Sequence, residues 1–328
     1  MMAILDDVRE RLRVVFGAGD GAFNVAVSGT GTSGMEAAVA NLTKPGSRAA
    51  VVVNGYFGDR LAQMFERYGA SVTRVESEWG RACDPAAVTR ALASQRCDVV
   101  AVVHGETSTG VVNPVEEVVR IARGYDALTI VDAVTTLGGV PVTTARWDAD
   151  ACYSCTQKGL GAPPGLAPVS LSARALERRV PARSFYLDFG LLQDYWVNRK
   201  YHHTISAPLV YALCEALAAV QDEGLEARWE RHRRNHEALA SGLETLGLSL
   251  LPPPGERLWT LNAVRVPAGV DEGAVRRRLL AEFGIEVGAG LGPLAGKIWR
   301  VGLMGSGSTA ANVTFFLAAL ADALRSVR

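Results

Sequence analysis

A lysine, Lys158, stands in the stretch CYSCTQKGLGAPPG, residues 152–165, after Thr156 and Gln157 and before a run of Gly and Pro. A lysine amine attacks carbonyls only when it is neutral part of the time, a state that burial or nearby positive charge favours. A loop of small residues ending in Pro163-Pro164-Gly165 would fix its approach and leave room for a flat ligand. Taken alone, the same lysine reads as an exposed loop residue.

Three other stretches carry complementary chemistry. SGTGTSGMEAAVANL, residues 28–42, sets small residues before a helix, where backbone N–H groups and the positive end of the helix dipole suit a phosphate. Thr30 and Thr32 add hydroxyl donors there. Asp132 ends the apolar run ALTIVDAV, and a carboxylate at the tip of a buried strand is costly unless it meets a cation such as a protonated pyridine nitrogen. HGETSTG, residues 104–110, brings Glu106, Thr107 and Ser108 to the tip of another strand. Each has a plainer reading on its own: a flexible turn with a helix cap, an acid capping the next turn, loop punctuation. Taken in chain order, the set is what pyridoxal 5'-phosphate requires.

Other chemistries fit less well. Gly29, Gly31 and Gly34 have dinucleotide-loop spacing, but no strong strand is predicted before them, and Asn54 occupies the place of the acidic residue expected about 20 positions on. No Gly-Lys-Ser/Thr follows to make a nucleotide P-loop. Cys152 and Cys155 form a lone C-x-x-C without a second pair. His232 and His236 lie one helical turn apart in RHRRNHE, but the arginines around them repel a cation, so no metal is expected. His202 and His203 read as structural residues at a helix start.

The elements that would position these groups alternate. AAVVVN, DVVAVVHG and ALTIVDAV are continuous apolar runs ending in polar residues, as strands buried on both faces read. Between them lie amphipathic stretches such as GDRLAQMFERYGA and PVEEVVRIARGY, the latter opening with Pro114 and two acids. The pattern predicts an α/β fold with a mostly parallel sheet sandwiched by helices, and ligands gathered at the strand C-termini. From residue 207 one long connecting helix is expected, leading into a smaller α/β domain. The expected division is a large cofactor-binding domain with its connecting helix over 1–225 and a small C-terminal domain over 226–328.

The 328 residues are 48% apolar, enough for a sizeable core, and 34 basic residues balance 34 acidic ones. That balance lacks the basic footprint of a nucleic-acid binder and is compatible with self-association. No apolar run reaches the ~18 residues a bilayer span needs. The acid-bearing amphipathic start and five cysteines point to a cytoplasmic protein without a disulfide framework.

On SGTGTSGMEAA, NGYFGDR, HGETSTGVVNP, VDAVTTLGG, YSCTQKGLGAPPG, YHHT and KIWRVGLMG, running in order from residue 28 to 305, the sequence resembles the class V aminotransferases of pyridoxal-phosphate fold type I. Within them it is similar to the alanine–glyoxylate and serine–glyoxylate (serine–pyruvate) aminotransferases. The resemblance implies that Lys158 forms the Schiff base and shuttles the proton, and that Asp132 pairs with the pyridinium nitrogen. It assigns Thr30, Gly31, Thr32 and Gln157 to the phosphate and Thr107 to the ring hydroxyl. Phe57, where the family usually has Trp, would stack on the ring opposite Val134. Tyr201 and Thr204 would reach the neighbouring subunit's phosphate in a homodimer with shared sites, and Arg300 would clamp the substrate carboxylate. The substrates implied are a small amino acid, alanine or serine, and a small 2-oxo acid such as glyoxylate or pyruvate.

Two departures from the family pattern stand out. An N-terminal arm with Pro-Gly-Pro and Gly-His-Arg segments is missing before Met1, which for a chain truly lacking it implies a more open pocket and a weaker dimer. Cys155 stands where relatives more often have Gly. The readings kept beside transamination are another pyridoxal-phosphate activity, such as a lyase, biosynthetic transaminase or desulfurase, and a truncated non-catalytic paralogue.

Overall fold

The computed structural model describes residues 2–326. The chain runs α1 (Met2–Val15), β1 (Phe23–Ser28), α2 (Gly31–Leu42), β2 (Arg48–Val53), α3 (Tyr56–Arg67), β3 (Ser71–Glu76), α4 (Pro85–Ser94) and β4 (Val99–Val103). A small hairpin of β5 (Gly105–Glu106) and β6 (Val111–Val112) precedes α5 (Val115–Gly124), β7 (Leu128–Asp132), α6 (Thr144–Trp147), β8 (Ala151–Tyr153) and β9 (Leu166–Leu171). There follow α7 (Ala173–Arg178), α8 (Phe189–Trp196), α9 (Ala207–Glu223) and α10 (Leu225–Thr245). The C-terminal part adds β10 (Leu261–Arg265), α11 (Glu272–Phe283), β11 (Gly288–Ala289), β12 (Ile298–Gly302) and α12 (Ala310–Ser326).

Seven strands form one sheet in the order β1-β9-β8-β7-β4-β2-β3. All neighbours from β8 to β3 pair in parallel, whereas β9 runs antiparallel to both β8 and β1. Six strands therefore point the same way, and the C-terminal tips of β1, β2, β4, β7 and β8 share one edge of the sheet. β4 and β7 are buried along their whole length, which is why VVAVV and LTIVD read as unbroken apolar runs. α5 starts after Pro114, with Glu116 and Glu117 in its first turn complementing the helix dipole.

Two expectations need correction. A strand, β1, does precede the glycine turn. Its sequence FNVAVS hides a buried Asn24 and pairs antiparallel to β9, so it lacks the long apolar signature of the parallel strands. The expected single connecting helix is two, α9 and α10, broken at Gly224, whose φ of 81° lies in the region open mainly to glycine.

The large sheet and its helices share one apolar core, in which Leu5, Val8 and Leu12 of α1 join Val210, Leu213 and Leu217 of α9. A second core gathers Leu239 and Leu243 of α10, Trp299 of β12 and Phe316 and Leu320 of α12 around the three-stranded sheet β10-β12-β11. No helix among the described residues is long and apolar enough to cross a membrane.

Candidate active site

The sheet edge where the parallel strands end opens into a cavity. In the register Val103, Asp132 and Tyr153 lie side by side at the tips of β4, β7 and β8. The cavity is lined by Thr30, Gly31 and Thr32 from the start of α2 and by Phe57 and Arg60 from α3. Thr107, Asp132, Val134, Cys155, Gln157 and Lys158 come from the strand-tip loops, and Arg300 from β12.

Asp132 is buried, its Oδ2 accepting the Tyr153 hydroxyl at 2.7 Å and its Oδ1 the Val134 N–H at 2.8 Å. Burial outweighs both bonds and pushes its pKa up to about 7. Among the described residues no cation pairs with it directly, so this carboxylate lacks the positive partner that would restore its charge. The Thr30 hydroxyl, at the N-cap of α2, makes no capping bond and is free for a ligand. A Cβ on Gly31 would come within 2.9 Å of Val134 Cγ2, so a side chain there would crowd the cradle.

The lysine loop joins β8 to the antiparallel β9 and is tied at both ends. Thr156 Oγ1 donates to Pro163 O at 2.6 Å, and the Ser154 hydroxyl to Ala133 O at 2.9 Å. Lys158 is half-buried on the cavity wall. From the other side Arg228 of α10 donates to Gly138 O at 2.9 Å and to Gly159 O at 2.8 Å, bracing the residue after Lys158. Arg231 reaches Gly305 O at 3.0 Å, and His232 Nε2 accepts the Gly305 N–H at 3.1 Å. His232 Nδ1 contacts Arg228 O at 2.7 Å, so both its ring nitrogens are taken up in this bracing.

Glu106, fully buried, caps α3 from outside its own chain segment. Its carboxylate accepts the N–H groups of Phe57 at 3.1 Å and Gly58 at 3.0 Å and the Ser108 hydroxyl at 2.6 Å, while burial pushes its pKa up. Arg300 is half-buried, its Nε donating to Ala289 O at 2.7 Å. Desolvation lowers its pKa and the Glu106 charge opposes that. Cys155 is buried, and burial drives its thiol up to about 12, which removes the thiolate a sulfur-transfer nucleophile needs.

Ten of the twelve expected site residues line this cavity, drawn from positions 30 to 300. Tyr201 and Thr204 do not. They lie in the irregular segment before α9, their hydroxyls 3.2 Å apart, and Tyr201 is 79% exposed. His202 and His203 share that segment, three or more residues before α9 begins, and His203 Nε2 meets the Ser28 hydroxyl at 2.7 Å. Sequence reasoning missed Arg60, one helical turn after Phe57 in NGYFGDR, and Tyr153, which reaches Asp132 only through strand pairing.

Fold and cavity together define a fold type I pyridoxal-phosphate-dependent transferase, with a buried strand-tip acid, a helix start open to an anion and a looped lysine around one flat space. The class-V aminotransferase family profile matches residues 1–301. The (S)-ureidoglycine–glyoxylate transaminase of Bacillus subtilis is 38% identical over 97% of this chain and 82% of its own length. The alanine–glyoxylate aminotransferase of Drosophila melanogaster is 37% identical over 99% and 85%. The crystal structure of the alanine–glyoxylate aminotransferase of Nostoc sp. superposes with a TM-score of 0.96 at 46% identity, over 99% of this chain and 87% of that one. The chain belongs to the class V aminotransferases, and it is a pyridoxal-phosphate-dependent transaminase.

Proposed function

We propose that the chain moves an amino group from alanine or serine to a small 2-oxo acid, glyoxylate or pyruvate, as a homodimer with shared active sites. The observation that carries this reading is the meeting of Lys158, Asp132 and Arg300 in one cavity beside the open start of α2. The Bacillus and Drosophila relatives are both named for glyoxylate as a substrate.

When bound, pyridoxal phosphate supplies an aldehyde that condenses with amines and a ring that withdraws electrons from their α-carbon bonds. Lys158 would hold the cofactor through its Nζ amine, and that amine would carry the proton that leaves and rejoins the substrate α-carbon. Asp132 would face a protonated ring nitrogen, which would favour its charged form, and the Tyr153 hydroxyl and Val134 N–H fix its carboxylate in place. Phe57 and Val134 would pack against a flat ring, and Thr107 would hydrogen-bond its hydroxyl. Thr30, Gly31, Thr32 and Gln157 take the phosphate. Arg300 grips the substrate carboxylate with its guanidinium fork. Met35 and Val103, both apolar and buried, close the floor of the cavity.

Tyr201 and Thr204 extend to the phosphate of a second copy. What supports this is their exposure outside their own cavity, beside exposed Phe185 and Tyr186. Work in the cytoplasm fits the five cysteines, all unpaired. Titrating the cofactor-free protein with pyridoxal phosphate should raise a visible absorption band that alanine or serine then bleaches. Lys158→Ala should show neither band nor turnover. A wild-type protein that never develops the band sinks the reading.

A further inference from the structure

Arg60 is the one residue of the cavity wall whose charge the reading above leaves unused. It sits in α3, half-buried, and its Nη1 donates to Thr32 Oγ1 at 3.3 Å. Its guanidinium carbon lies 5.0 Å from the Phe57 ring centre and 5.2 Å from that of Tyr56. Those rings hold the cation in place without an acid. Among the described residues Arg60 forms no ion pair, and its neighbour Asp59 pairs with Arg74 instead.

Charge balance gives this placement a purpose. A phosphate monoester brings roughly −1.5 to −2 charges at neutral pH. The start of α2 offers about half a positive charge, and Thr30, Gly31, Thr32 and Gln157 offer none. Of the other two cations on the wall, Lys158 is committed to the aldehyde, and Arg300 is turned toward Ala289, on the strand beside β12. Only Arg60 stands next to Thr32.

The geometry points to Arg60 as the cation that neutralises the cofactor's phosphate from the α3 side, a further binding residue of the pocket. This rests on the transaminase reading above. The bound group gains a charge-assisted fork bond, which adds to the preference for a phosphorylated over an unphosphorylated aldehyde.

The test compares cofactor-free wild type, Arg60→Gln and Arg60→Lys in absorbance titrations with pyridoxal phosphate and with pyridoxal, which lacks the phosphate. Thermal melts with and without inorganic phosphate accompany them. Arg60→Gln should bind pyridoxal phosphate about ten- to a hundredfold more weakly, bind pyridoxal as the wild type does, and lose the rise in melting temperature that inorganic phosphate gives the wild type. Arg60→Lys, which keeps the charge without the fork, should fall between. Unchanged pyridoxal phosphate affinity in Arg60→Gln overturns the proposal. So does an equal loss for both aldehydes, which would mean that the residue supports the Phe57 ring and not the phosphate. Wild-type protein that binds neither aldehyde brings down the transaminase reading itself, a result distinct from both.

Discussion

The Tyr153 hydroxyl donates to Asp132 Oδ2 at 2.7 Å, from the neighbouring strand and the same rung of the sheet. Both groups are buried, and burial and the adjacent carboxylate push the phenol's pKa well above its ordinary value. The tyrosine therefore stays a donor at every working pH. Tyr153→Phe keeps the ring and removes the bond, which costs about 1–2 kcal/mol. Chemical denaturation of the cofactor-free protein should show a larger loss at pH 8, where the carboxylate is charged, than at pH 5.

Asp132 should also leave its mark on stability against pH. Its pKa in the fold is raised from 3.8 to about 7, so the folded chain binds the proton more tightly than the unfolded one. The stability this contributes is complete below 3.8 and disappears as pH rises through about 7. Asp132→Asn in the cofactor-free protein should flatten the slope across that window in melts from pH 4 to pH 8. A slope identical to the wild type's would show that Asp132 does not carry it.

Gly31→Ala tests the cradle. The added Cβ would meet Val134 Cγ2 at 2.9 Å and Cys155 Cβ at 3.4 Å. Overpacking of this kind costs about 1–3 kcal/mol. Because Gly31 opens α2 beside the cavity, affinity for pyridoxal phosphate should fall at least about tenfold, the equivalent of 1.4 kcal/mol. Equilibrium titration of the cofactor-free protein measures it.

Arg300→Lys separates substrate binding from cofactor binding. Lysine keeps the charge but loses the planar fork that matches a carboxylate. KM for the amino donor should rise about ten- to a hundredfold, while the affinity for pyridoxal phosphate stays that of the wild type. Steady-state kinetics and a cofactor titration on the same preparation decide it.

Arg228 is 6% exposed and pairs with Glu223 at 2.5 Å while holding Gly138 O and Gly159 O. Arg228→Ala strands two buried carbonyls and part of an ion pair, so denaturation should report a loss of about 3 kcal/mol or more. Turnover should suffer as well, because Gly159 adjoins Lys158, the lysine proposed to hold the cofactor.

Much of this site could be read along the chain because each strand tip announces itself locally. The apolar runs of β2, β4 and β7 end where polar residues begin, and that boundary put Asp132 and Thr107 at one sheet edge. Lys158 stood out by the rigid residues after it. Arg60 and Tyr153 could not be found this way, since their relevance depends on which elements become neighbours: Asp132 and Tyr153 are 21 residues apart and meet only across the β7–β8 register. The edge strand β1 escaped because a buried asparagine, Asn24, interrupts its apolar run. The break at Gly224 escaped because one glycine in a helical pattern rarely ends it.

That break has its own consequence. Glu223, just before Gly224, binds both Arg228 and Arg231 just after it, each at 2.5 Å. The point where the backbone is freest is thus clamped by side chains on either side of it.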